Sequence, residues 1–123
     1  MNSRILVVDD EPDVVGFLSR LLEDNGYATY SANSGNEAFL LLQEEQPRLI
    51  LLDLQMANGT GTDLYRMLRA RPSLKGVPII VVSGVAGRRI AVGKEVPVID
   101  KPIDDVELLA QVRKALGERA EPE

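Results

Sequence analysis

Three short, uninterrupted apolar runs constrain how this chain can fold: Ile5-Leu6-Val7-Val8, Leu49-Ile50-Leu51-Leu52 and Ile79-Ile80-Val81-Val82. Strands that are apolar at every position are buried on both faces, as happens in parallel sheets covered by helices on either side. Parallel neighbours need a crossover of about a dozen residues or more. The segments between the runs supply it with helical periodicity, so the pattern is one of repeated βα units. Each run also ends on polar or flexible residues. Asp9 and Asp10 close the first, Asp53 the second, and Ser83-Gly84 the third.

Two weaker segments complete a sheet. Tyr27 to Ala32 is mixed in polarity, and Val96-Pro97-Val98-Ile99 contains a proline that cannot donate to a central ladder. Both read as edge strands. Five strands in chain order, with the second and fifth at the edges, predict an α/β fold: a flavodoxin-like, doubly wound, five-stranded parallel sheet of order 2-1-3-4-5. Its switch point falls between the first and third strands, so Asp9, Asp10 and Asp53 are expected in one crevice. Three converging anions are costly there unless a cation sits among them.

The helical segments fit the same scheme. Pro12 suits a first helical turn, Val14, Phe17, Leu18, Leu21 and Leu22 form an apolar stripe, and Gly26 supplies the stop. Val15 lies off that stripe and is expected to be exposed. Ser34 and Glu37 have capping-box spacing, Ala38, Leu41 and Leu42 face inward, and Pro47 prevents continuation. A third helix is expected to start around Gly61 or Thr62, with Leu64, Met67 and Leu68 inward and Pro72 beyond its end. A final helix over 104–116 has acids in its first turn, Arg113 and Lys114 in its last, and a predicted stripe of Val106, Leu109, Val112 and Leu116. The whole is expected to be one domain over 1–123, with its core over about 3–117 and a frayed tail over 118–123.

Composition narrows the chemistry. With 45% hydrophobic and 27% charged residues the chain has a globular make-up, and its apolar runs are too short to span a membrane. A net charge of −5 disfavours direct nucleic-acid binding. No cysteine and no histidine are present, which removes thiolate sites, the commonest zinc ligand and the usual general base, and fits a cytoplasmic address. Any chemistry must run on carboxylates, hydroxyls, lysine and a hard metal. Lys101-Pro102 follows the fifth strand, so the sheet edge collects Asp9, Asp10, Asp53, Ser83 and Lys101. Taken singly, each has a plain structural reading as a helix cap, a turn residue or a bend. Their joint arrival at one edge favours a site.

In Ile5 to Glu11, Leu51 to Met56, Val82-Ser83-Gly84 and Asp100-Lys101-Pro102 the chain resembles the receiver domain of two-component response regulators. The resemblance covers essentially the whole chain. It implies phosphoryl transfer from a histidine kinase or phosphotransfer protein onto Asp53. It also implies Mg²⁺ held by Asp9, Asp10, the Asp53 carboxylate and the backbone carbonyl of Gln55, with Ser83 and Lys101 contacting the phosphoryl group. Such a domain is a signalling module, not an enzyme, and signals through protein contacts with an output partner or as a homodimer. The Lys101-Pro102 bond is expected to be cis, aiming the lysine at the phosphorylation site.

The departures from the family pattern concern the readout. Val98 stands where receivers usually carry a Tyr or Phe that rotates inward on activation. The stretch from Ser83 to Lys101 is shorter than expected by about one helical turn and contains Gly84, Gly87, Gly93 and Arg88-Arg89. Of the five helices that the fold implies, the fourth is therefore expected to be short or mobile. Ala57 replaces a common proline and should loosen its loop slightly. One alternative is a degenerate receiver that serves as a binding platform without phosphorylation. A phosphatase with an Asp nucleophile is disfavoured, because Gln55 stands where that family places a second Asp.

Overall fold

The computed structural model describes residues 4–56, 60–84 and 96–118. Its elements run β1 (Ile5–Val8), α1 (Pro12–Asp24), β2 (Thr29–Ala32), α2 (Gly35–Leu42), β3 (Leu49–Leu52), α3 (Thr60–Ala70), β4 (Ile79–Ser83), β5 (Val98–Asp100) and α4 (Asp105–Ala115). The five strands form one parallel sheet in the order β2-β1-β3-β4-β5, as the strand patterns predict. Residues 85–95, where the short fourth helix is expected, lie outside the described residues, as does Ala57. The last helix of the expected scheme is therefore α4.

Uninterrupted apolar strands are explained by two cores, one on each face. Leu6, Val8, Ile50, Leu52, Ile79 and Val81 pack with α2 and α3 through Ala38, Leu42, Leu64 and Leu68. The alternate residues Ile5, Val7, Leu49, Leu51, Ile80 and Val82 pack with α1 and α4 through Leu18, Leu22, Leu108 and Val112. The period-two alternation of a strand thus divides one apolar run between two cores. Truncating one of the fully buried leucines to alanine costs about 2–5 kcal/mol.

The edges differ because of their polarity. β2 is half-buried at Thr29 and Tyr30, exposed at Ser31 and buried only at Ala32, and β5 buries only Ile99 fully. Pro97 precedes β5, where its missing N–H costs nothing while its carbonyl accepts from the Val81 N–H at 2.9 Å.

Helix ends follow the expected chemistry in part. The Ser34 hydroxyl accepts the Glu37 N–H at 3.0 Å, and the Glu37 carboxylate accepts the Asn33 N–H at 2.7 Å. At the end of α1, Gly26 adopts a φ of +93°, and Tyr27 N–H reaches the Leu22 carbonyl while Gly26 N–H reaches that of Glu23. This is a Schellman closure that needs glycine. Gly117 (φ +73°) ends α4 in the same way, with Glu118 N–H bonded to the Arg113 carbonyl.

Several expectations fail for geometric reasons. Phe17 is 43% exposed, and Val15, expected outside, is partly buried against the α1/α4 core. A helix turns about 100° per residue, so a face centred on Leu18 and Leu22 includes Val14, Val15 and Leu21 but leaves Phe17 to one side. In α4 the buried residues are Leu108 and Val112, while Val106 is 76% exposed. Spacing by threes drifts about 60° each step, which carries Val106 off the face that Val112 occupies. α3, by contrast, begins at Thr60, one residue from the expected start around Gly61 or Thr62. Glu118, expected to fray, accepts a hydrogen bond from the Tyr27 hydroxyl at 2.7 Å and pairs with Arg48 at 3.1 Å. Residues 119–123 lie outside the described part.

Candidate functional site

Register brings the acids together. Val8 pairs with Leu52, and the Asp53 N–H donates to the Val8 carbonyl at 3.0 Å, so Asp9 and Asp53 leave adjacent strands side by side. Carboxylate oxygens of Asp9, Asp10 and Asp53 all lie within 4.8 Å of one another. Asp9 and Asp53 are buried at 1% and 3% exposure, and Asp10 is exposed. Two short turns fix the buried pair. Asp9 Oδ1 accepts the Glu11 N–H, and Asp53 Oδ1 accepts the Gln55 N–H, each at 2.9 Å. These are Asx turns, so Asp9 does not cap α1, whose N-cap is Glu11 with no side-chain cap bond.

Lys101 supplies the cation. Its Nζ lies 3.3 Å from Asp9 Oδ2, 3.3 Å from Glu11 Oε1 and 3.5 Å from Asp53 Oδ2. The Lys101-Pro102 bond is cis, as expected. Burial pushes the Asp9 carboxyl above the usual carboxylate range and Asp53 adds to this, while the Glu11 N–H and Lys101 pull the other way. For Lys101, burial alone lowers the value, but the Asp53 and Asp9 carboxylates and the Glu11 hydrogen bond outweigh it and raise the net value. One ammonium shared among three carboxylates leaves a surplus of negative charge. A hard divalent cation with oxygen ligands suits such a donor set.

The remaining predicted residues sit around this centre. Ser83 is fully buried at the end of β4, and its carbonyl accepts the Lys101 N–H at 3.2 Å. Gln55 is exposed in the turn after Asp53. Val98 is half-buried and packs against the α2/α3 core. Two residues escaped the sequence reading of the site. Glu11 joins the Lys101 cluster, for which its place directly after Asp10 was the available sign. Gly61 abuts the Asp53-Leu54 backbone, a tertiary contact that nothing local in the sequence announces.

A doubly wound sheet with a carboxylate trio and a lysine at its switch point defines the class of protein; its family follows from comparison. Residues 5–113 match the response regulator receiver domain, and the chain belongs to that family. Protein Rrf1 of Nitratidesulfovibrio vulgaris is 35% identical over 117 residues, covering 95% of this chain and 85% of that protein. The phosphate regulon transcriptional regulatory protein PhoB of Rhizobium meliloti is 37% identical, and the match covers all of this chain but 56% of PhoB. Among solved structures, a response regulator receiver protein from Pseudomonas putida superposes with a TM-score of 0.85 at 32% identity, covering 93% of this chain and 98% of its own. Among the described residues no helix is long and apolar enough to cross a membrane.

Proposed function

We propose that this chain accepts a phosphoryl group on Asp53 from a histidine kinase or phosphotransfer protein, with Mg²⁺ bound, and passes the signal on through changed protein contacts. The observation that carries this reading is the acidic trio with Lys101 reaching both of its buried members. Asp9, Asp10, the Asp53 carboxylate and the Gln55 carbonyl are the residues that would hold the metal. When bound, Mg²⁺ supplies charge neutralisation for phosphate oxygens and for the crowded acids.

The protein's own groups do the rest. An Asp53 carboxylate oxygen forms the new O–P bond as the P–N bond of the donor phosphohistidine breaks, its electron pair remaining on the imidazole nitrogen. The Gln55 N–H, bonded to Oδ1, orients the carboxylate so that Oδ2 is the free nucleophile on the side of Lys101. In the transition state charge spreads over the equatorial phosphoryl oxygens, where the Lys101 ammonium stabilises it. Ser83 is the hydroxyl that then meets the acyl phosphate. Phosphorylation replaces one carboxylate charge by about −1.5 to −2, and this local change is what a partner or second copy reads.

The test is incubation with Mg²⁺ and acetyl phosphate, read by intact mass beside Asp53→Asn. One phosphate added to the wild type alone is the expected result. A folded wild type that takes up none defeats the proposal and leaves a phosphorylation-independent binding platform. Continuous phosphate release from many donors points to a phosphatase.

A further inference from the structure

Gly61, in the first turn of α3, is buried. A Cβ placed on it would overlap the Asp53 carbonyl oxygen, lying also 2.7 Å from Leu54 Cα and 3.0 Å from Leu54 C. These are all backbone atoms, so no rotamer change relieves the overlap. Gly16, equally helical, meets nothing within 4 Å at the same position.

We propose that Gly61 is a positioning residue for Asp53: the absent side chain lets α3 seat directly on the Asp53-Leu54 peptide and so fixes how the carboxylate is presented. This rests on the reading of Asp53 as phosphoacceptor. The peptide is held from three sides. The Asp53 N–H bonds to Val8 in β1, the Gln55 N–H folds back onto Asp53 Oδ1, and Leu54 and Met56 sink into the core beside Leu64 and Leu68 of α3. Gly61 sets how closely α3 approaches that peptide. Any larger residue must push away either the loop or the helix, and the loop bears both the nucleophile and the Gln55 carbonyl. A misplacement of about 1 Å at a reacting group is worth roughly 10²-fold in rate.

The experiment compares Gly61→Ala and Gly16→Ala with the wild type in three measurements. These are the initial labelling rate by acetyl phosphate at saturating Mg²⁺, the Mg²⁺ midpoint from the Leu54 and Gln55 amide NMR shifts, and the urea midpoint. Gly61→Ala should label roughly tenfold to 10²-fold more slowly. Its Mg²⁺ binding should weaken by roughly tenfold, as when a group supporting a metal ligand is altered. Both losses should persist at urea concentrations far below its unfolding midpoint. Gly16→Ala should match the wild type in rate and Mg²⁺ midpoint. Wild-type labelling by Gly61→Ala, with unmoved Leu54 and Gln55 amides, overturns the proposal. Should Gly61→Ala not fold, amide exchange on the wild type decides: protection of Leu54 and Gln55 alongside the amides of α3 supports it, and exchange of those two at unprotected rates overturns it. A wild type that takes no phosphate fails the phosphoacceptor reading alone, since the amide shifts still report whether Gly61 sets the loop.

Discussion

The two ends of the sheet carry similar numbers of charged side chains and use them differently. At the N-terminal end, charges meet in matched pairs. Arg4 forks onto Glu45 at 2.6 and 3.0 Å and stacks over the Tyr30 ring, and Arg48 pairs with Glu118, which also accepts from Tyr27. Arg4 holds the Glu45 carboxyl below its usual range, while burial and Glu45 push the Tyr30 hydroxyl up to about 12, so it stays a donor to the Glu45 carbonyl. At the C-terminal end, Asp9, Asp53 and Glu11 share Lys101, and Asp10 crowds the same crevice. Matched pairs on a surface do structural work of modest size. Unbalanced buried acids lower stability and are retained where a ligand completes them.

The sharpest way to break this contrast is to remove the shared cation. Lys101→Met should slow phosphate uptake by roughly 10²- to 10³-fold, the loss that follows removal of one charge-stabilising donor. It should also lower stability at neutral pH by about 2 kcal/mol, less than a fully buried pair would cost because the lysine reaches solvent. Labelling kinetics and urea unfolding measure the two effects, and an unchanged labelling rate would remove Lys101 from the site.

Adding the missing charge should act in the opposite sense. The raised Asp9 value means that the folded protein keeps this proton to higher pH than the unfolded chain does. The resulting stability is fully present below the ordinary carboxylate range and is lost as pH rises through the raised value. The raised Lys101 value acts far above neutrality and leaves this window to Asp9. Mg²⁺ should therefore stabilise the protein more at pH 7, where a concentration 100-fold above its dissociation constant contributes about 2.7 kcal/mol, than at pH 4, within the ordinary carboxylate range, where Asp9 holds its proton. Urea midpoints with and without Mg²⁺ at both values check this, and an equal effect at both would break the link to Asp9.

The smallest effects belong to the opposite end. Glu118→Ala should cost less than about 1 kcal/mol in urea unfolding and leave phosphate uptake unchanged, because its partners are half-exposed surface groups. A larger loss would mean that the closure of α4 onto Tyr27 and Arg48 supports the site from below.

Much of this arrangement was legible in the residues. Continuous apolar strands, mixed edge segments and the proline before β5 specified the sheet order, and the acids closing β1 and β3 located the crevice. The helix faces were less legible. Phe17 and Val15 exchanged roles, and Val106 stands outside while Leu108 is buried, because an apolar stripe read by spacing allows neighbouring rotations that only packing against the sheet selects. Glu118 looked like a tail residue, since its partners lie 91 and 70 positions away in sequence.

What the sequence determined by itself is therefore what depends on local pattern: which segments are strands, which are edges, and that Asp9, Asp10, Asp53 and Lys101 leave the same end of the sheet. The tertiary structure decided how those groups meet. It set the register that places Asp9 beside Asp53, made Lys101 the cation shared by Asp9, Glu11 and Asp53, and brought α3 onto the Asp53-Leu54 peptide at Gly61. Distances of 3–4 Å between residues far apart in the chain are set by packing and register, and no local periodicity encodes them.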